Sequence, residues 1–208
     1  MQNNIFNFLL IFFTSAMVVV MIAGAGCGAG GMKREDTAIT LKKDWRIISS
    51  GEVSEGGKHI SSPEYIPDEW TPATVPATVL GALTAEGEYE NWYMGRNLES
   101  IPKKRFQSSW WYRKEFDLPR DRRGDNTVLR FDGINFRADI WLNGSRLARK
   151  DTLMGSFRIF SFEVSDIVKE SDNVLAVEVF PPRPGELTIG FVDWNPRPPD
   201  NNMGLWRE

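Results

Sequence analysis

The chain has 208 residues, of which 41% are hydrophobic and 25% charged, a composition typical of a folded domain. Twenty-five Lys and Arg residues against 28 Asp and Glu residues give a formal net charge of −3. Because there is no basic excess to neutralise a phosphate backbone, nucleic acid is not expected as a partner. The single cysteine (Cys27) and the single histidine (His59) exclude an internal disulfide and a cluster of Cys or His metal ligands. We therefore expect no metal and no cofactor.

The N-terminus begins with an uncharged, mainly apolar run over residues 5–26. A run of this length can span a bilayer as a helix, or can form the core of a signal peptide. The tetrapeptide that ends at Cys27 resembles a bacterial lipobox, whose cysteine is lipidated. The alternatives are thus a lipoprotein signal, another signal peptide, or an uncleaved anchor that attaches the chain to the membrane. Each predicts an exported protein: a periplasmic protein, an outer-envelope lipoprotein or an extracellular protein.

We divide the chain into a signal segment over residues 1–27, a linker over 28–37 and a folded domain over 38–208. From residue 109 onward, short runs of alternating apolar residues are separated by turn residues, the pattern of an all-β sandwich or barrel. Asn143-Gly144 between two such runs is a strong hairpin indication, because both turn positions require a positive φ. Brief helical turns are predicted at 79–84 and 165–170. The predicted strands are Ser109–Leu118, Thr127–Phe131, Arg137–Leu142, Ser145–Arg149, Phe157–Val164, Asn173–Phe180 and Leu187–Val192.

No residue of the chain is predicted to be catalytic. A Ser or Cys nucleophile needs a neighbouring base, but His59 lies in a loop rich in Gly and Ser, and Cys27 lies in the export segment. Glycoside hydrolysis needs two paired carboxylates, and nothing in the sequence marks any two as a pair.

The most unusual segment is 192–208, VDWNPRPPDNNMGLWRE. Its prolines restrict the backbone, its Asp and Asn side chains can hydrogen-bond to hydroxyls, and its tryptophans offer flat apolar faces. A sugar site needs these groups. The alternative is a surface loop with a tryptophan anchored in the core.

Residues 193–208 resemble the signature of exo-β-D-glucosaminidases and their β-mannosidase-like relatives in glycoside hydrolase family 2. Further segments resemble the family in the same order, so that the resemblance extends from about residue 38 to 208. It implies the family's N-terminal sugar-binding domain, a jelly-roll β-sandwich of the galactose-binding-like type. The parent enzyme would be an exo-acting, retaining β-glycosidase that removes terminal β-linked glucosamine or mannose from an oligosaccharide. The further segments are 70–79, 91–97, 110–113 and 131–144.

The resemblance also implies what lies elsewhere. In the family, both catalytic glutamates belong to a later (β/α)8 barrel that follows an immunoglobulin-like domain. We therefore expect the chain to be a fragment that does not hydrolyse glycosides alone. The competing hypotheses are a stand-alone carbohydrate-binding module at the cell envelope and an interaction domain that docks a protein.

The family's site residues transfer to five positions. Asp193 would accept a sugar hydroxyl and Trp194 would form a wall of the site, with Asn97, Asn195 and Arg207 as weaker candidates. For a glucosamine ligand, Asp193 or Asp200 would also provide negative charge opposite the ammonium group. The alternative role for Asp193 is a carboxylate that caps its own loop. The strand tryptophans Trp110, Trp111 and Trp141 are expected in the core rather than in the site.

Overall fold

The computed structural model describes residues 38–122, 126–190 and 196–207, and within these ranges the protein is mostly β-structure. Its helices are short, and no helix in these ranges is long and apolar enough to cross a membrane. The predicted export segment, Cys27 and the linker lie outside the described residues. The helices are α1 (Gly57–Ile60), α2 (Val79–Ala85) and α3 (Asn97–Ser100), with 3-10 turns at Ser50–Glu52, Lys103–Gln107 and Arg120–Arg122. The strands are β1 (Trp45–Ser49), β2 (Thr71–Ala73), β3 (Ala77–Thr78), β4 (Trp110–Phe116), β5 (Val128–Phe131), β6 (Ile134–Asn135), β7 (Arg137–Leu142), β8 (Ser145–Ala148), β9 (Phe160–Glu163), β10 (Asn173–Phe180) and β11 (Gly204–Leu205).

The largest sheet is antiparallel, with strand order β2-β1-β4-β10-β7-β8. Both of its faces are covered, so its central strands are apolar on both sides. On one face, Trp111 and Ala176 pack against Ile60 and Trp70 from the segment between β1 and β2. Because strand side chains alternate between faces, their sequence neighbours Trp110 and Val177 point into the main core instead.

The main core is shared between the largest sheet and two smaller sheets, β3-β11-β6 and β5-β9. Tyr112 and Ile140 contribute from the large sheet, Ile134 and Leu205 from the three-stranded sheet, and Phe131 from the two-stranded sheet. Helix α2 adds Val79 and Leu83, which are completely buried. Burial of apolar side chains between β layers is what stabilises a sandwich of this kind.

The predicted hairpin at Asn143-Gly144 is confirmed. Both residues have positive φ, 50° and 80°, and they connect β7 directly to β8. The Asn143 side chain also accepts the Val174 N–H at 2.8 Å and donates to Ile167 O and Asn173 Oδ1 at 2.9 Å each. A single residue thus forms the turn and ties it to the start of β10.

The predicted strands agree with the structure where a neighbouring strand is available for pairing. The limits of β7 and β10 are those predicted, and β4, β5, β8 and β9 lie within their predicted runs. The strand predicted at 187–192 is wrong over 187–190: these residues pair with no strand, and Leu187 is 74% exposed. Residues 165–167 form a hydrogen-bonded turn rather than a helix, whereas the helical turn predicted at 79–84 is α2. Strand β1 was not predicted, although its residues are largely buried.

The predicted core position of the strand tryptophans is confirmed for Trp110 and Trp111, which are 0% and 4% exposed. Trp141 is half-buried instead. Its indole lies against Gly57 on one side, and the Arg146 guanidinium lies 4.7 Å from its ring centroid. It also packs against the cluster that contains Trp111 and Trp70 on the same face of the large sheet.

Candidate functional site

The segment 196–207 crosses one end of the domain and inserts β11 between β3 and β6. Gly204 makes this insertion sterically feasible. Its φ is 148°, and a Cβ atom there would lie 2.6 Å from both Ala77 O and Tyr112 Oη. Since only glycine accommodates this contact, its place in the sequence fixes how the segment enters the sheet.

Asp200 anchors the same segment to the start of α2. Its Oδ2 accepts the Leu80 N–H at 2.8 Å, and its Oδ1 accepts the Asn202 N–H at 2.9 Å. The Val79 N–H donates to Met203 O at 2.7 Å, and the Gly81 N–H donates to Thr78 Oγ1 at 3.1 Å. The N–H groups that a helix leaves unpaired at its first turn are therefore satisfied largely by the segment 196–207.

The role predicted for Asp200 opposite a sugar ammonium is wrong. Its side chain is 1% exposed, and both oxygens are occupied by backbone donors. Burial raises the pKa of Asp200, while the hydrogen bonds from Leu80 and Asn202 act to lower it. This carboxyl group is part of the fold, not of a surface that a ligand could reach.

Asn135 on β6 is the second anchor, and it is completely buried. Its Nδ2 donates to Asn201 O at 3.1 Å and to Asn202 O at 2.7 Å. Its Oδ1 accepts the Ser156 Oγ–H at 2.5 Å, and Ser156 O accepts the Trp206 Nε1–H at 2.9 Å. A continuous hydrogen-bond network thus holds both halves of the segment against the domain.

The segment that this network holds directly follows residues 191–195 in the chain. Before residue 191, a Cβ atom at Gly190 would lie 3.8 Å from Asn202 Nδ2, so Gly190 lies beside the anchored segment. The predicted site residues Asp193, Trp194 and Asn195 themselves lie outside the described residues, so the structure describes only the chain up to residue 190 and from residue 196.

A cleft of about 340 Å³ lies beside the start of the segment 196–207. Phe106 contributes an apolar side chain, Gln107 and Asn201 contribute amides, and Lys103 and Arg197 contribute positive charge. Planar amides and nitrogen donors of this kind can hydrogen-bond to hydroxyl groups. Two pairs of prolines in its lining, Pro181-Pro182 and Pro198-Pro199, restrict the backbone there. Its lining residues are Lys103, Phe106, Gln107, Pro181, Pro182, Arg197, Pro198, Pro199 and Asn201.

The two remaining predicted residues have different surroundings. Asn97 is exposed at the start of α3, and its Nδ2 donates to Asn91 O at 2.9 Å, which closes the loop 91–97. Arg207 is also exposed; its guanidinium lies 5.5 Å from the Trp206 ring centroid, and it lines a second cavity with residues 38–42. Neither residue lines the cleft beside the loop.

Two anchors of the segment 196–207, Asn135 and Ser156, were not predicted from the sequence. Asn135 was noted in the sequence only as part of the segment 131–144, and Ser156 was not noted. A buried Asn and a buried Ser have no sequence signature beyond their polar character, because their partners lie in distant parts of the chain. The one local indication is that Asn135, a polar residue, directly follows the apolar Ile134 in the short strand β6.

The pKa of a second carboxyl group in the described ranges, Glu178, is also raised. The cause is chiefly burial, opposed by the hydrogen bond from Ser109 at 2.6 Å. Glu178 on β10 pairs with Trp111 on β4 and with Asp139 on β7, so its side chain lies on the same face of the large sheet as that of Trp111. It does not line the cleft. In the described ranges, no group of three or more His, Cys, Asp or Glu residues could hold a metal ion.

Comparison with known proteins identifies the same family in sequence and in structure. The model of the family "Glycosyl hydrolase 2 galactose-binding domain-like" matches residues 45–186. The exo-β-D-glucosaminidase of Streptomyces avermitilis is 36% identical over 173 residues, which cover 83% of this chain and 19% of that enzyme. The enzyme of the same name from Amycolatopsis orientalis is 31% identical over 208 residues, which cover 93% of this chain and 20% of that enzyme.

Solved structures agree with these relatives. The crystal structure of the Amycolatopsis orientalis exo-chitosanase CsxA matches with a TM-score of 0.75 and 31% identity, over 81% of this chain and 20% of that chain. The β-D-mannosidase of Dictyoglomus thermophilum, at 22% identity and a TM-score of 0.61, shares the fold. The chain spans about a fifth of the length of these curated relatives. Its mostly β architecture and its matching segments confirm the resemblance seen in the sequence: the chain belongs to the galactose-binding-like domain family of glycosyl hydrolase family 2.

Proposed function

We propose that the chain is the sugar-binding N-terminal domain of an exported, exo-acting, retaining β-glycosidase that removes terminal β-linked glucosamine or mannose. The observation that carries this proposal is its identity of 36% and 31% with two exo-β-D-glucosaminidases. In such an enzyme, the acid and the nucleophile that perform the double displacement would come from the part of the protein that this chain does not cover. The domain would contribute binding energy and one wall of the substrate pocket.

In the proposed site, Asp193 accepts hydrogen bonds from a hydroxyl or an ammonium group of the terminal sugar, and Trp194 packs against the sugar's apolar face. Asn97 is a weaker candidate, and Asn195 and Arg207 are weaker still. The anchoring of 196–207 through Asn135 and Asp200 supports this assignment, because it fixes the chain that follows these residues and so lowers the conformational entropy that ligand binding would remove.

A chimera tests this role. Residues 38–208 replace the matching domain of the Amycolatopsis orientalis exo-β-D-glucosaminidase, and kcat/KM is measured with p-nitrophenyl β-D-glucosaminide and with the neutral β-D-glucoside. We expect Asp193→Asn to lower kcat/KM for the glucosaminide by about tenfold or more, and that for the glucoside less, because only the first substrate carries an ammonium group. The matched control is Asp151→Asn, which changes an exposed aspartate in the turn after β8. An unchanged ratio between the two substrates would contradict the charge role of Asp193.

For the chain alone, we expect no hydrolysis and only weak sugar binding, since half of the proposed pocket is supplied by other domains. Titration calorimetry with chitosan and mannan oligosaccharides measures this directly. Strong binding by the isolated chain would instead favour a stand-alone carbohydrate-binding module.

We propose export for the region that follows residue 27, with lipidation at Cys27. The support is the uncharged run 5–26 and the lipobox-like tetrapeptide before that cysteine. Expression with labelled palmitate in a bacterial host should give a labelled, membrane-associated protein, and Cys27→Ala should abolish the label. Labelling that persists in Cys27→Ala, or its absence in the unmodified chain, would contradict lipidation.

A further inference from the structure

The cleft beside the start of the segment 196–207 is positively charged. Lys103 and Arg197 line it, and none of its described lining residues is an Asp or a Glu. Both cationic side chains are exposed, and neither forms a hydrogen bond or an ion pair with another described residue. Two cations without such a partner at one concave surface attract anions, because the low-dielectric walls of a cleft focus their field.

The carboxylates nearest to these cations in the sequence have other partners. Glu99, the acidic residue nearest to Lys103, pairs with Arg96 at 2.6 Å. Asp200, the acidic residue nearest to Arg197, is 1% exposed and uses both side-chain oxygens to accept backbone N–H groups. Neither carboxylate lines the cleft. The positive charge at the cleft is therefore not neutralised by these two neighbours.

Two side-chain amides complete the polar lining of the cleft. Gln107 belongs to the same 3-10 turn as Lys103, and Asn201 belongs to the segment 196–207. Because an amide both donates and accepts, it can hydrogen-bond to a hydroxyl group in either direction. The cleft thus places cationic donors, which suit an anionic group, beside amides, which suit hydroxyl groups.

The backbone on both sides of the cleft is held in place by contacts to the rest of the domain. The turn Lys103–Gln107 places Phe106 in the main core, where its ring stacks on that of Trp110 with centroids 6.2 Å apart. On the other side, Asn201 O accepts a hydrogen bond from Nδ2 of the buried Asn135 at 3.1 Å. The cleft is therefore preformed, which lowers the conformational entropy that a ligand would have to remove.

We infer that this cleft binds an acidic saccharide, a sugar that carries a carboxylate or a sulfate group. The anionic oxygens contact Lys103 and Arg197, whose guanidinium can hold two of them at once. The hydroxyl groups contact Gln107 and Asn201. The volume of about 340 Å³ lies within the range of small-molecule sites, so the cleft has room for a sugar ring and not only for an ion. This ligand is additional to the terminal glucosamine or mannose of the proposed function.

The experiment titrates the 208-residue chain with D-glucuronate, D-glucose 6-sulfate, neutral D-glucose and inorganic sulfate, and measures each affinity by ligand-detected NMR. The test variants are Lys103→Gln and Arg197→Gln. The matched controls are Lys104→Gln and Arg183→Gln, which remove exposed cations that adjoin lining residues in the sequence but do not line the cleft. All four positions are exposed, so the variants should fold like the unmodified chain.

We expect at least one of the two anionic sugars to bind about tenfold more tightly than D-glucose, because only they pair with the cations. The tighter of the two identifies the anionic group. Each test variant should weaken this binding by about threefold or more, whereas the controls should leave it unchanged. Raising the NaCl concentration from about 20 to about 200 mM should also weaken it, since both cations are exposed to screening.

Equal affinity for the anionic sugars and for D-glucose in the unmodified chain would overturn the inference, and this comparison needs no variant. Equal effects of the test and control variants would also overturn it, because net charge rather than the cleft would then attract the ligand. Inorganic sulfate that binds as tightly as D-glucose 6-sulfate would show a site for an ion only and would overturn the assignment to a saccharide. None of these measurements uses turnover or Asp193, so their failure and the failure of the proposed function are distinguishable.

Discussion

Asp200 Oδ2 accepts the backbone N–H of Leu80 at 2.8 Å, a buried hydrogen bond between residues 120 positions apart. It joins the segment 196–207 to the first turn of α2, which itself packs into the main core. The position of the segment 196–207 and the stability of the domain therefore depend on the same contact.

Removal of this carboxylate should destabilise the whole domain. We expect Asp200→Ala to lower the free energy of unfolding by about 2–4 kcal/mol, because the buried N–H groups of Leu80 and Asn202 lose their acceptor. Asp200→Asn keeps one oxygen acceptor and should cost less. Urea unfolding followed by tryptophan fluorescence measures both. Equal losses in the two variants would show that hydrogen bonding is not the cause.

The pH dependence of this contribution has a defined sign. Burial raises the pKa of Asp200 above its ordinary value of 3.8, so the folded state holds the proton more tightly than the unfolded state does. The stabilisation is therefore fully present below the unfolded pKa and is lost as the pH rises through the folded pKa. The stability deficit of Asp200→Asn should be greatest at about pH 3.5 and smaller at pH 7. A deficit that grows with pH would contradict the raised pKa.

The Asn135 network makes a separate prediction. Asn135→Ala removes a buried amide that makes three hydrogen bonds, and we expect a loss of about 2–4 kcal/mol in unfolding free energy. Ser156→Ala removes one of these bonds and keeps the carbonyl that binds Trp206, so it should cost about 1 kcal/mol. A loss in Ser156→Ala as large as that in Asn135→Ala would show that the contacts to Asn201 and Asn202 contribute little.

At Gly204, any side chain should disrupt the insertion of β11. The Cβ atom of Gly204→Ala would meet Ala77 O and Tyr112 Oη at 2.6 Å, at a φ of 148°. We expect a loss of about 2–4 kcal/mol, as for overpacking combined with backbone strain. Gly87→Ala is the control, because its φ is also positive but a Cβ atom there has open space. It measures the strain without the clash, and an equal loss in both variants would exclude the clash as the cause.

Two substitutions at Asn143 separate the contribution of its backbone conformation to stability from that of its side-chain hydrogen bonds. Asn143→Gly retains the backbone freedom that a φ of 50° requires, but loses the bonds to Ile167, Asn173 and Val174. Asn143→Ala loses both. We expect losses of about 2 and 3 kcal/mol respectively, measured by chemical unfolding. A fully stable Asn143→Gly variant would show that the turn conformation alone matters.

Several features of this protein follow from the sequence by itself. The limits of β7 and β10, the Asn143-Gly144 turn and the family were all predictable, because alternation of apolar residues and positive φ are local properties that nearby residues reveal. The strand predicted at 187–190 was wrong for a non-local reason: apolar alternation at Leu187 does not supply a neighbouring strand to pair with.

The remaining features were decided by the tertiary structure. Asp200 is in a segment rich in polar residues and reads as a ligand contact, yet the fold buries it against Leu80. The partners of Asn135 lie 21 to 67 positions away, and only the packing of β6 against β11 brings them together. Burial and hydrogen bonding between distant segments are properties of the folded chain, so the anchors of the segment 196–207 became visible only in three dimensions.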